Sequence, residues 1–143
     1  MADFGKPDCC LFMWITAENL ANGMALAEHW GFRYISKAFT WVKITQDTDP
    51  DGELDDMRTM VGMGKWTRYE SEDCYLFTRG SPSRLSAAVR QVVFEPRREH
   101  SRKPDSVRQR VQALAAGPRL ELFGRASQPN WDVWNNEPGK FDV

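Results

Sequence analysis

A basic run, Arg97-Arg98-Glu99-His100-Ser101-Arg102-Lys103-Pro104-Asp105, constrains this chain more than any other stretch. It is followed by Arg119-Leu120-Glu121-Leu122-Phe123-Gly124-Arg125 and then by Trp131-Asp132-Val133-Trp134-Asn135-Asn136-Glu137. In order, these predict strand, basic loop, helix, strand, polar loop, strand. Pro104 suits the first turn of a helix, where its missing N–H costs nothing. Val107, Val111 and Leu114 then share one helical face, and Gly117-Pro118 ends it. Such alternation builds an α/β sheet with a binding cleft at the strand ends.

The first half of the chain reads the same way. Residues 9–15 form a continuous apolar run ending at Thr16, as expected of a strand buried on both faces of a parallel sheet. Thr16 is placed to cap a helix carrying Leu20, Met24, Ala27 and Trp30 at helical spacing, and Gly31 ends it. Residues 34–43 are the next strand region, centred on Phe39-Thr40-Trp41-Val42. Residues 44–60 are polar, acidic and breaker-rich, hence a loop. Cys74-Tyr75-Leu76-Phe77-Thr78 is a further strand, and residues 89–94 a short one leading into the basic loop. The strands around Trp41 and Phe77 look hairpin-like, so an antiparallel edge is expected on an otherwise parallel sheet. Residues 11–15 and 120–123 are expected to be inner parallel strands.

At 143 residues the chain suits one domain rather than two. Its charge is nearly balanced but segregated: residues 47–56 are acidic and residues 79–110 strongly basic. A local basic stripe fits phosphate contact and equally a solvated face. Three cysteines, Cys9, Cys10 and Cys74, give no disulfide framework. The adjacent pair sits in an apolar run, so buried, reduced thiols are expected, which points to a reducing, cytoplasmic compartment. With two histidines and no Cys-x-x-Cys, no metal site is expected. No segment approaches the ~20 apolar residues of a membrane span, and the N-terminus lacks a signal-peptide pattern.

Several positions admit two readings. Lys103, at the mouth of the predicted helix, suits a carboxylate ligand or simply faces water. Glu121 and Arg125 flank a strand end, where a carboxylate and a guanidinium would meet hydroxyl and ammonium groups of a ligand, or form an edge-strand ion pair. Asn136 follows two tryptophans; its amide suits ribose or adenine edges, or a turn. Glu72 precedes the Cys74 strand and follows Gly62-Met63-Gly64-Lys65-Trp66-Thr67-Arg68. That glycine-punctuated loop reads as a contact for a flipped base or a phosphate, or as plain surface.

Taken together these segments resemble the MT-A (seventy-kilodalton subunit) family of adenine-N6 methyltransferases, over nearly the whole chain. The landmarks, in family order, are Leu11-Phe12-Met13-Trp14, Trp30-Gly31-Phe32, Trp41-Val42-Lys43, the 62–68 loop, Arg79-Gly80-Ser81-Pro82, and the three segments named first. The wording of the basic run is closer to the phage and bacterial DNA-modifying branch than to the messenger-RNA branch. The resemblance implies a single domain over residues 1–143 with a three-layer, Rossmann-like methyltransferase sheet. It implies methyl transfer from S-adenosylmethionine to adenine N6 in nucleic acid, DNA ahead of RNA. Lys103 would meet the methionine carboxylate of the cofactor, and Glu121, Arg125, Asn136 and Glu137 would line its pocket. Glu72 would sit near the target base, with Arg68 and His100 as further substrate contacts.

Three departures from the family pattern stand out. Asn135 occupies a position usually held by Gly, and Ala126-Ser127 do not match the polar pair expected after Arg125. The Asp-Pro-Pro-Trp type catalytic motif is absent, and no Pro-Pro pair occurs anywhere; Asp49-Pro50 is the only Asp-Pro. The strand carrying that motif is therefore expected to be missing from this truncated domain, and a second chain is one source of it. The alternative is a catalytically inactive, methyltransferase-like module that binds nucleic acid or a catalytic partner.

Overall fold

The computed structural model describes residues 7–98, 102–116, 119–122 and 131–134, the last two stretches by their backbone. The elements run β1 (Cys9–Ile15), α1 (Leu20–His29), β2 (Arg33–Ile44), β3 (Gly62–Met63), β4 (Arg68–Tyr69), β5 (Ser71–Arg79), β6 (Val92–Pro96), α2 (Asp105–Leu114), β7 (Arg119–Leu122) and β8 (Trp131–Trp134). A short 3-10 turn over Ala17–Asn19 joins β1 to α1, with the Asn19 side-chain amide donating to Thr16 Oγ1 at 2.8 Å. Gly31, at φ 89°, takes the left-handed conformation that lets the chain leave α1 and enter β2.

Four strands form one sheet in the order β1-β5-β2-β6. β5 pairs antiparallel with β1, where Trp14 faces Cys74, and antiparallel with β2, where Trp41 faces Glu72. β2 pairs in parallel with β6, Trp41 opposite Val93. The two faces separate by the alternation of side chains along each strand. One face gathers Phe39, Trp41, Cys74 and Val93 under Val107 and Val111 of α2, with Phe12, Trp14 and Leu114 against them. The other gathers Ile15 and Phe77 under Ala27 of α1, with Leu11, Met13, Met24 and Tyr75 around them. The two helices thus cover opposite faces of a mixed α/β sheet.

The mainly parallel sheet expected from the sequence is corrected here. Two of the three pairings in the four-stranded sheet are antiparallel, and the antiparallel pair β2–β5 lies at its centre rather than its edge. β1 is not an inner parallel strand; it is antiparallel and at the edge. Its apolar character fits the helices above and below, which pack against its two faces whatever its neighbour or direction. β7 does pair in parallel, with β8, in a separate two-stranded sheet. Phe123 lies outside the described residues. Smaller differences follow the same logic. Glu72 lies within β5, not before it, because residues 71–73 pair with β2 despite their polarity. Pro104 precedes α2, with ψ 134°, instead of occupying its first turn. Residues 62–69 hold a small β3–β4 hairpin. Cys9 and Cys10 are half-buried, Cys74 fully buried, and all three are free thiols.

Candidate active site around Glu72

Glu72 is the second residue of β5 and stands directly across from Trp41 on β2. Trp41 and Lys43 are two residues apart on β2 and so share a face. Trp14 is brought beside them from β1 through its partner Cys74. The Trp14 and Trp41 rings meet edge to face, with centroids 6.4 Å apart and planes at 77°. Trp41 is 1% exposed, and its Nε1–H donates to the Glu95 carbonyl at 2.8 Å, tying β2 to β6 at the mouth of the basic loop.

Two lysines close on Glu72. Lys43 Nζ lies 2.7 Å from one carboxylate oxygen and Lys103 Nζ 2.6 Å from the other. The Lys43 ammonium also lies 5.3 Å from the Trp41 ring centroid, and that of Lys103 5.4 Å from the Trp14 ring centroid. Each cation therefore bridges a carboxylate and an aromatic face. Burial pushes the Glu72 carboxyl up, but the hydrogen bonds from Lys103 and Lys43 outweigh it and hold the group below the usual carboxylate range. Glu72 is thus an ionised acceptor near neutral pH, on a tryptophan floor, with one net positive charge in its immediate cluster. Beneath it Cys74 is inert: burial raises its thiol to about 12 against the opposing pull of Lys103.

Beside Lys103, the first residue of α2 collects guanidinium groups. Asp105 accepts from Arg98 at 2.7 Å and from Arg108 at 3.2 Å, and Arg102 lies 3.9 Å away. A carboxylate in the first helical turn is favoured by the helix dipole, and here it also organises the arginines of the basic run. On the opposite face of β5, Asp73 accepts from Thr40 Oγ1 at 2.8 Å, with Lys37 at 3.7 Å.

Of the expected site residues, Lys103 and Glu72 are brought into direct contact. Arg68 sits exposed on β4, in the hairpin leading into β5. Glu121 occupies a backbone position on β7, opposite Val133 of β8. His100, Arg125, Asn136 and Glu137 lie outside the described residues. Lys43, Trp14 and Trp41 were missed as site residues. The available signal was Trp41-Val42-Lys43, a lysine two residues beyond a tryptophan at the end of an apolar strand.

A family of methyltransferases matches almost the whole chain. The MT-A70 family matches residues 1–137, and the chain belongs to it. It is 32% identical to a Mycoplasma protein, type II methyltransferase M.MunI, over 91% of this chain and 51% of that protein. It is 28% identical to a Medicago truncatula protein, putative N(6)-adenosine-methyltransferase MT-A70-like, over 80% of this chain and 18% of that protein. The Arabidopsis thaliana N(6)-adenosine-methyltransferase MT-A70-like is also 28% identical, over 84% of this chain and 16% of its own length. The chain therefore spans about half the length of the bacterial relative (51%) and under a fifth of the plant ones.

Proposed function

We propose that this chain forms the cofactor- and base-facing part of an adenine-N6 methyltransferase that uses S-adenosylmethionine and acts on nucleic acid, DNA ahead of RNA. The observation that carries the reading is the clamp of Lys103 and Lys43 on Glu72, which joins a residue expected at the cofactor to one expected at the base. The wording of the basic run, closer to the DNA-modifying branch of the family, supports the choice of DNA.

The donor set fits the cofactor. Lys103 has three N–H donors and gives one to Glu72, leaving capacity for a ligand carboxylate at the start of α2. Glu121, Arg125, Asn136 and Glu137 would complete the pocket. S-adenosylmethionine supplies an electrophilic methyl on sulfonium sulfur. Glu72, kept ionised, accepts an N–H from the adenine amino group and so orients it, with Arg68 and His100 as further substrate contacts. Trp41 across from Glu72 on β2 and the buried Cys74 two residues along β5 leave the carboxylate only partly exposed, where its hydrogen bonds are stronger than in open water. The complete domain in this reading is the three-layer, Rossmann-like sheet of the family, with the Asp-Pro-Pro-Trp strand entering at the open edge of β1. That strand comes from elsewhere in the protein or from a second chain.

A second reading rests on one observation: these 143 residues contain no Pro-Pro pair. The chain is then an inactive, methyltransferase-like module that binds nucleic acid or a catalytic partner. Incubation with methyl-labelled cofactor and adenine-containing DNA or RNA, followed by nucleoside analysis, separates the two. N6-methyladenine that disappears in Glu72→Ala supports the first reading. Nucleic-acid binding with no transfer under any complementation supports the second.

A further inference from the structure

Trp66 is 98% exposed, at the turn of the β3–β4 hairpin, and is the largest side chain the molecule turns outward among the described residues. Hydrophobic burial cannot account for a tryptophan in that position. The hairpin that carries it is built to hold its shape. A side chain on Gly64 would overlap the Thr67 carbonyl and the Tyr69 ring, so the turn closes tightly on a glycine. Tyr69 packs against that glycine and its hydroxyl donates to Glu18 at 2.8 Å, pinning the hairpin to the β1–α1 connection. Met63 (89%) on the same hairpin and Val61 (60%) just before it are also exposed.

Charge decides what such a surface meets. Residues 61–69 contain two cations, Lys65 and Arg68, and no carboxylate of their own, while Glu18 docks against the hairpin through Tyr69. An indole flanked by cations suits a nucleobase attached to a phosphodiester backbone, because every base offers a π-face and every linkage a negative charge. Position agrees as well. Trp66 is six residues upstream of Glu72, and six residues reach at most about 20 Å even fully extended. The platform therefore stands within a few nucleotides of the carboxylate.

We propose that Trp66, with Lys65 and Arg68, is a stacking platform for an unpaired base flanking the target adenine in single-stranded or locally opened nucleic acid. The platform holds the strand while the target is presented to Glu72. The inference rests on the reading of the chain as a nucleic-acid methyltransferase and adds a substrate subsite to it.

The test is fluorescence anisotropy with a labelled, adenine-containing single-stranded oligonucleotide and its duplex, on the intact protein and on W66A, W66F and K65A/R68A. Melting temperature is read in parallel, and a side chain this exposed should leave it unchanged. W66A is expected to weaken single-strand binding by about 5- to 100-fold, W66F to recover most of it, and the duplex to lose less. K65A/R68A should reduce the slope of log affinity against log salt by about 1.4 while W66A leaves that slope alone. Single-strand binding by W66A within about twofold of the parent overturns the platform while leaving the methyltransferase reading intact. A parent protein that binds neither form overturns both. Loss of a protein–protein association in W66A, with oligonucleotide binding unchanged, also overturns it.

Discussion

Lys103, the last residue but one before α2, donates to Glu72 near the start of β5 across a 2.6 Å hydrogen bond. The segment leading into α2 is thereby latched onto an inner strand of the sheet. Lys43 completes the latch at 2.7 Å from the other carboxylate oxygen. The three groups are each roughly a quarter exposed (22%, 22% and 30%), so solvent weakens the attraction without abolishing it.

Glu72→Ala should be more damaging than Lys103→Ala. Removing the carboxylate leaves two facing ammonium groups without their common acceptor, whereas removing Lys103 leaves the Glu72–Lys43 pair intact. The expected loss is about 1–3 kcal/mol for Glu72→Ala and about 1 kcal/mol for Lys103→Ala after discounting for solvent exposure. Denaturant unfolding of the two single variants and the double variant measures the coupling. Equal losses, or strict additivity, would remove the latch from the account.

The same pair carries a pH signature. The Glu72 carboxyl is depressed in the fold, so the unfolded chain takes up its proton first as pH falls. Its contribution is complete above the ordinary glutamate value, about 4.3, and is lost below that as pH drops toward the depressed folded value. Melting temperature against pH should therefore fall more steeply on the acid side for the parent than for Glu72→Gln, with the two curves converging at low pH. Parallel curves across that window would contradict the assignment.

Trp41→Phe should cost about 1–3 kcal/mol even though the ring remains, because the Glu95 carbonyl loses its donor in a nearly sealed site. Trp41→Ala should cost about 3–5 kcal/mol through the cavity as well. Near-ultraviolet dichroism should lose the Trp14–Trp41 coupling in both variants. A Trp41→Phe protein as stable as the parent would show that the hydrogen bond contributes nothing.

How much of this was legible in the sequence depended on which force set each feature. The runs at residues 9–15 and 74–78 were recognisable as strands because a helix packs over each of their faces, and the run of α2 because Val107, Val111 and Leu114 fall on one stripe. Strand order was not legible. An apolar strand looks the same at the edge or in the middle, parallel or antiparallel, once both of its faces are covered. Glu72 was recognised as a site residue but placed outside its strand, since polarity alone suggests a loop and the pairing with Trp41 is set by a segment thirty-one residues away. Lys43 was passed over because its partner lies on another strand.

β1 should behave as an open edge. It is the outer strand of its sheet among the described residues, seven apolar residues long, and such a strand is a template for pairing. Its amides that do not bond to β5 should exchange hydrogen much faster than those of β5, which is paired on both sides. Addition of a segment carrying the Asp-Pro-Pro-Trp strand should slow those β1 amides selectively. Uniform protection of β1 in the chain alone would show that its edge is already occupied.

Methyl transfer with and without that segment tests the account most directly. The chain alone, given S-adenosylmethionine and adenine-containing DNA or RNA, should produce little or no N6-methyladenine. Supplying the Asp-Pro-Pro-Trp segment should raise transfer to a level that Glu72→Ala abolishes. Robust turnover by the chain alone would contradict the account, since residues already present would then be doing the work assigned to the added strand.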